Sequence, residues 1–140
     1  MTIYLLDSNT ITFLTQGNEA AWQHWSELSK EDEVLTCFAV IAEWEYGILN
    51  AKGHAKQQGI RAQGELVFNR MSRIIETTPE INLAYGQIAA ELRRAGTMVP
   101  QNDMWIAAVA RTLGATVVAN DKHFRHIKNL PVVDWTKENA

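Results

Sequence analysis

Cysteine is almost missing from this chain. A single residue, Cys37, in 140 excludes an internal disulfide and any multi-cysteine zinc or iron–sulfur site. Also missing is an apolar run near the roughly 20 residues that cross a bilayer, so no membrane span is expected. The opening MTIYLLDSNT has no basic leader and carries an early acid; it reads as a first strand, not a signal peptide. Basic charge is not in excess, since 13 Lys and Arg against 16 Asp and Glu give a formal charge of −3. That argues against a strongly basic nucleic-acid binder, although metal ions held by carboxylates would invert the local field for a phosphate ligand. No internal repeat, low-complexity tract or interdomain linker is visible. Together these absences favour the cytoplasm.

What remains is an ordinary globular composition, 46% apolar and 21% charged. The length suits one domain, residues 1–140, with one substantial core. IYLL reads as a short strand ending at Asp7, and SNTITFLT as a helix with a choice of capping side chains. Residues 19–28 form a second helical stretch, EVLT a second strand, and AVIAEWEYGIL a helix. AKGHAKQQG is polar and carries glycine, and is expected to be a mobile connection or frayed end before a helix from about Arg61 to Met71. RIIETT is strand-like, INLAYGQIAAELRRAG is helical with Gly96 as its stop, and Asn102 and Asp103 open the next helix. TVVA is a strand, DKHFRHI a short helix and PVVDW an edge strand. Strands alternating with helices imply an α/β layer fold with a mostly parallel sheet.

Four acids stand at the edges of these segments: Asp7, Glu43, Asp103 and Asp121. In a parallel sheet such positions converge outside the carboxyl ends of the strands. The ordinary alternative for the three aspartates is a helix cap, a contribution of about 1 kcal/mol each, and for Glu43 a solvated helix face. Against it, Glu43 lies among Val40, Ile41 and Trp44, and Asp103 abuts MWIAAVA. A carboxylate beside apolar surface needs a cap, a cation or a metal, and no Lys or Arg is close in sequence to Asp7, Glu43 or Asp103. A divalent metal site is the stronger reading. Oxygen donors without cysteine or histidine among the four select Mg2+ or Mn2+ over zinc.

The motifs LLDSNTI, AEWEYGI, QIAAELRRAG, NDMWIAAVARTLGATVVANDKHF and LPVVDW, in this order over nearly the whole chain, resemble the PIN-domain family and its VapC-type toxins of bacterial toxin–antitoxin pairs. The resemblance implies a PIN-like three-layer α/β/α sandwich and a metal-dependent endoribonuclease. Its acidic quartet is Asp7, Glu43, Asp103 and Asp121, and its products carry a 5′-phosphate and a 3′-hydroxyl. Asp7 and Asp103 are expected as primary ligands, with Glu43 and Asp121 completing the shell of Mg2+ or, in its place, Mn2+. The chain departs from the pattern at Ala119, where many relatives carry Thr. Asn120 also competes for the fourth position; counting back from His123-Phe124 favours Asp121. Glu45 competes with Glu43, but on a helix the two point roughly 200° apart, and the framing by Tyr46-Gly47 favours Glu43. Implied partners are RNA, a VapB-like antitoxin and a second copy of the chain in a homodimer.

Ser8 and Asn9 are candidates for orienting Asp7 or a phosphate, and equally for capping the first helix. Thr10 reads as a helix-start residue only. Lys122 and Arg125, next to the fourth acid, are expected to contact RNA phosphates, whereas Arg93 and Arg94 have a sufficient role at a helix C-terminus. His123 and His126 are not assigned to catalysis. Trp22, Trp25 and Trp135 are expected in packing, and Trp44 and Trp105 as walls beneath the acids. Two alternatives remain from other classes. One is a PIN-fold RNA-binding module without hydrolysis. The other is a different Mg2+-dependent phosphoryl enzyme, such as an aspartyl-phosphate receiver, which the Ser-Asn after Asp7 disfavours.

Overall fold

The computed structural model describes residues 1–138. The strands are β1 (Ile3–Leu6), β2 (Glu33–Cys37), β3 (Arg73–Ile75), β4 (Thr116–Val118) and β5 (Val132–Val133). The helices are α1 (Ser8–Thr15), α2 (Glu19–Ser26), α3 (Phe38–Asn50), α4 (His54–Phe68), α5 (Pro79–Ala95) and α6 (Gln101–Leu113), with a 3₁₀ turn at Lys122–His126. The sheet order is β3-β2-β1-β4-β5 and every pairing is parallel. Leu5, Leu6, Leu35, Val117 and Val118 are completely buried. That is why the central strands read as unbroken apolar runs and not as alternating ones.

Topology follows from handedness. The chain steps from β1 to β2 to β3 in one direction, then crosses back to β4 on the far side of β1. Right-handed crossovers therefore put α1–α4 over one face and α5 and α6 over the other. Packing agrees: α1 touches α2, α3 and α4, and α5 lies along α6. The reversal of direction falls between β1 and β4, so the crevice at their carboxyl ends is the topological switch point. Two buried hydroxyls brace it. Thr36 Oγ1 donates to Leu6 O at 2.8 Å, and Thr10 Oγ1 donates to Val118 O at 2.9 Å. Thr10 thus ties α1 to β4 and is more than a helix start.

One stretch departs from expectation. The polar AKGHAKQQG is a connection only over residues 51–53: α4 begins at His54, seven residues before the expected start, and ends at Phe68. Its first turns are largely exposed, with Gln57 and Ile60 half-buried, so they carry no apolar stripe from which a helix could be read. They are held instead by Gln57, whose backbone N–H reaches Gly53 O at 3.1 Å and whose side chain donates to Ala51 O at 3.0 Å. Gly64 faces the Trp44 ring so closely that an added Cβ would come within 2.5 Å of it. This contact locks α3 to α4.

The other aromatic residues pack as expected. Trp22 and Trp25 stack at 5.5 Å, the Trp22 indole donates to Leu14 O at 2.9 Å, and Trp25 and Tyr4 close on buried Trp135. No helix among the described residues is long and apolar enough to cross a membrane.

Candidate active site

Asp7 leaves β1 in extended geometry and caps α1, its Oδ1 accepting from Thr10 N at 2.8 Å. The cap accounts for its position but not for its environment. Asp7 is 4% exposed, and burial pushes its carboxyl up to about 6, with the charges of Asp103 and Asp121 adding to the rise and the Thr10 bonds opposing it. The ordinary helix-capping role and membership of a carboxylate cluster are therefore both true of this residue.

Asp103 does not cap its helix. Pro100 takes that position, and its rigid ring with the first turn of α6 carries Asp103 over the sheet edge. Its Oδ2 lies 2.9 Å from His123 Nδ1. Burial raises this carboxyl, the His123 hydrogen bond works against the rise, and Asp121 and Glu43 add to it. Asp121 follows β4 and caps the 3₁₀ turn, its Oδ1 accepting from His123 N at 2.9 Å. The same oxygen is 2.9 Å from His123 Nδ1. Asn120, its rival in the sequence, is exposed and lines the neighbouring groove.

Glu43 corrects an expectation. It is exposed on α3 and not set in an apolar stripe, yet it is held at the rim of the same cluster. Its Oε2 accepts from Ser8 Oγ at 2.7 Å and from Asn102 Nδ2 at 3.3 Å. Glu45 points away, as the helical offset requires, into a two-pronged pair with Arg61 at 2.7 and 2.8 Å. Ser8 is thus a tether for Glu43, while Asn9 faces the cleft between α1 and α3 that Trp44 also lines. Arg125 lines the groove beside Asp121, together with Lys137, and Lys122 is exposed next to them. Trp105 stacks on Tyr85 at 4.0 Å and meets Phe38 edge-on, beneath the helix turn that bears Asp103.

Two residues of the cluster escaped the sequence. His123 looked like a surface helix histidine, and only its spacing two after Asp121 hinted otherwise. Asn102 read as a helix opener. Among the described residues no Lys or Arg pairs with any of the four acids; the basic side chain within ion-pair distance of them is His123. Asp103, Asp121 and His123 offer donor atoms within 4.8 Å of one another. Carboxylate oxygens and one imidazole nitrogen suit a divalent cation, and the acidic charge that adds to the burial-raised carboxyls of Asp7 and Asp103 is what a cation would relieve. The donor set therefore fits a metal.

The PIN-domain family model matches residues 4–130. Ribonuclease VapC1 of Haemophilus influenzae strain R2866 is 33% identical over 137 residues, spanning 96% of this chain and 99% of that protein. Among solved structures, VapBC-1 from nontypeable Haemophilus influenzae superposes with a TM-score of 0.85 at 32% identity, covering 97% of this chain and all of that one. VapBC2 from Rickettsia felis, bound to a DNA fragment from their promoter, gives 0.87 at 26% identity over 96% of this chain and 99% of that one. Sequence match, fold and the acidic edge of the sheet agree, and the chain belongs to the PIN-domain family, in its VapC branch.

Proposed function

We propose that this chain is a metal-dependent endoribonuclease of the VapC type, restrained by a VapB-like antitoxin. The observation that carries the reading is the meeting of Asp7, Asp103 and Asp121 from three separate elements at the β1/β4 switch point, where burial raises the Asp7 and Asp103 carboxyls and neighbouring acidic charge adds to the rise. Further support comes from the ribonuclease name of the Haemophilus relative and from the VapBC pairs among the solved structures. The site favours hydrolysis over the inactive RNA-binding alternative, because buried repelling carboxylates are costly to keep without a use.

In this reading Asp7 and Asp103 hold the divalent ion, Mg2+ or Mn2+, with Asp121 and Glu43 completing its surroundings. When bound, such an ion supplies Lewis acidity to a phosphodiester and lowers the pKa of water. The chain's own residues prepare that chemistry. Thr10 N holds one oxygen of Asp7 and so fixes the carboxylate at the end of β1. Ser8 and Asn102 hold Glu43 toward it. Asn9 borders the cleft on the α1 side, and Lys122 and Arg125 receive flanking phosphates on the other. The products carry a 5′-phosphate and a 3′-hydroxyl.

The reading takes residues 1–140 as one domain acting in the cytoplasm. It includes a homodimer, for which exposed Leu83 on α5 and Met98 beyond it offer apolar surface. Cleavage of total RNA by the purified, antitoxin-free protein tests the function. Cuts are expected with Mg2+ or Mn2+, none with EDTA, and none from Asp7→Asn or Asp103→Asn. Folded wild-type protein that cuts nothing with any metal would return the binding module to first place. Co-expression with a VapB-like partner should yield a complex and suppress toxicity.

A further inference from the structure

We propose that His123 is a nitrogen donor to the divalent ion of this site, and that it moves the site's preference from Mg2+ toward first-row transition ions such as Mn2+. The inference rests on the metal-dependent reading above. It begins with backbone placement: Asp121 ends the extended segment after β4, and the 3₁₀ turn that follows brings the His123 ring back over it. Phe124, 1% exposed, anchors that turn in the core. The ring is therefore delivered by the fold and not by a free surface rotamer.

The ring nitrogen stands at ligand spacing. Nδ1 lies 2.9 Å from Asp103 Oδ2 and 2.9 Å from Asp121 Oδ1. Neighbouring donors on an octahedral ion with bonds of about 2.1 Å are separated by roughly 3.0 Å. A single proton on Nδ1 can satisfy one carboxylate, that of Asp103, which leaves most of the repulsion with Asp121 in place. A cation bound by all three would satisfy both oxygens and take the nitrogen lone pair. Magnesium is hard and keeps oxygen ligands and water, whereas imidazole suits softer first-row ions. A nitrogen in the shell therefore strengthens Mn2+ more than Mg2+.

The test is Mn2+ binding to the purified full chain, read by pulsed electron paramagnetic resonance for coupling to a directly bound 14N, with affinities for Mn2+ and for competing Mg2+. Wild type and the exposed-histidine control His126→Ala should show the coupling. His123→Ala and His123→Asn, checked for folding by circular dichroism, should lack it. Their Mn2+ affinity should fall on the order of tenfold or more, with a smaller loss for Mg2+. Mn2+ bound without nitrogen coupling in the wild type overturns the proposal. So does His123→Asn with wild-type Mn2+ affinity and Mn2+/Mg2+ ratio, because an amide can brace the carboxylates by hydrogen bonding without donating nitrogen to a metal. These outcomes leave the nuclease reading intact if RNA is still cut with metal. Folded wild type that binds no Mn2+ removes both.

Discussion

Asp7→Asn should make the metal-free protein more stable at neutral pH while destroying its cleavage activity. The wild-type carboxyl is buried and raised from its ordinary 3.8 to about 6. Its folded pKa lies above its unfolded one, so the folded state binds the extra proton between those values and loses that advantage as pH rises through 6. At pH 7.5 the ionised, buried carboxylate costs about 3 kcal/mol, at 1.36 kcal/mol per pH unit. Asparagine keeps the cap, because its Oδ1 can still accept from Thr10 N, and carries no charge. With part of that cost recovered, the melting temperature in EDTA at pH 7.5 should rise by roughly 5–10 °C.

The gap between variant and wild type should narrow as pH falls through 6 and close near 3.8, since other titrating groups are common to both proteins. Excess Mn2+ should also narrow it, by stabilising the wild type alone. Thermal melts across pH 4–8, with and without metal, measure both effects. A variant that melts at or below the wild-type temperature in EDTA at pH 7.5, or a gap independent of pH, would refute the assignment of Asp7 as a destabilised, functionally retained carboxylate.

Glu43→Gln should lower RNA cleavage on the order of tenfold, while Glu45→Gln leaves it unchanged because that side chain faces Arg61; single-turnover rates separate the two. Gly64→Ala should destabilise by roughly 1–3 kcal/mol, since its methyl would meet the Trp44 ring at 2.5 Å, and urea unfolding measures the loss. Arg125→Ala should reduce the slope of log affinity against log salt for single-stranded RNA by about 0.7, the share of one phosphate contact; an unchanged slope would remove Arg125 from the RNA path.

The sequence by itself determined the order of elements, because buried parallel strands are unbroken apolar runs and the long helices carry their own stops, as at Gly96. It also determined which acids were worth following, and the helical offset together with the Tyr46-Gly47 framing separated Glu43 from Glu45. It did not reveal the start of α4, whose first turns contact solvent and therefore leave no periodic trace. Nor did it show that Asp103 leaves its cap position to Pro100, that Thr10 bridges to β4, or that Glu43 is an exposed residue tethered by Ser8 and Asn102. The Pro100 cap is local backbone geometry, whereas the Thr10 and Glu43 contacts are partnerships between residues 35 to 108 positions apart, and only the parallel sheet and its reversal at β1/β4 bring such partners together. His123 is the sharpest case. Its chemistry is decided by Asp103, twenty positions earlier, and a side chain's partner across a fold is set by tertiary packing, to which local sequence is blind.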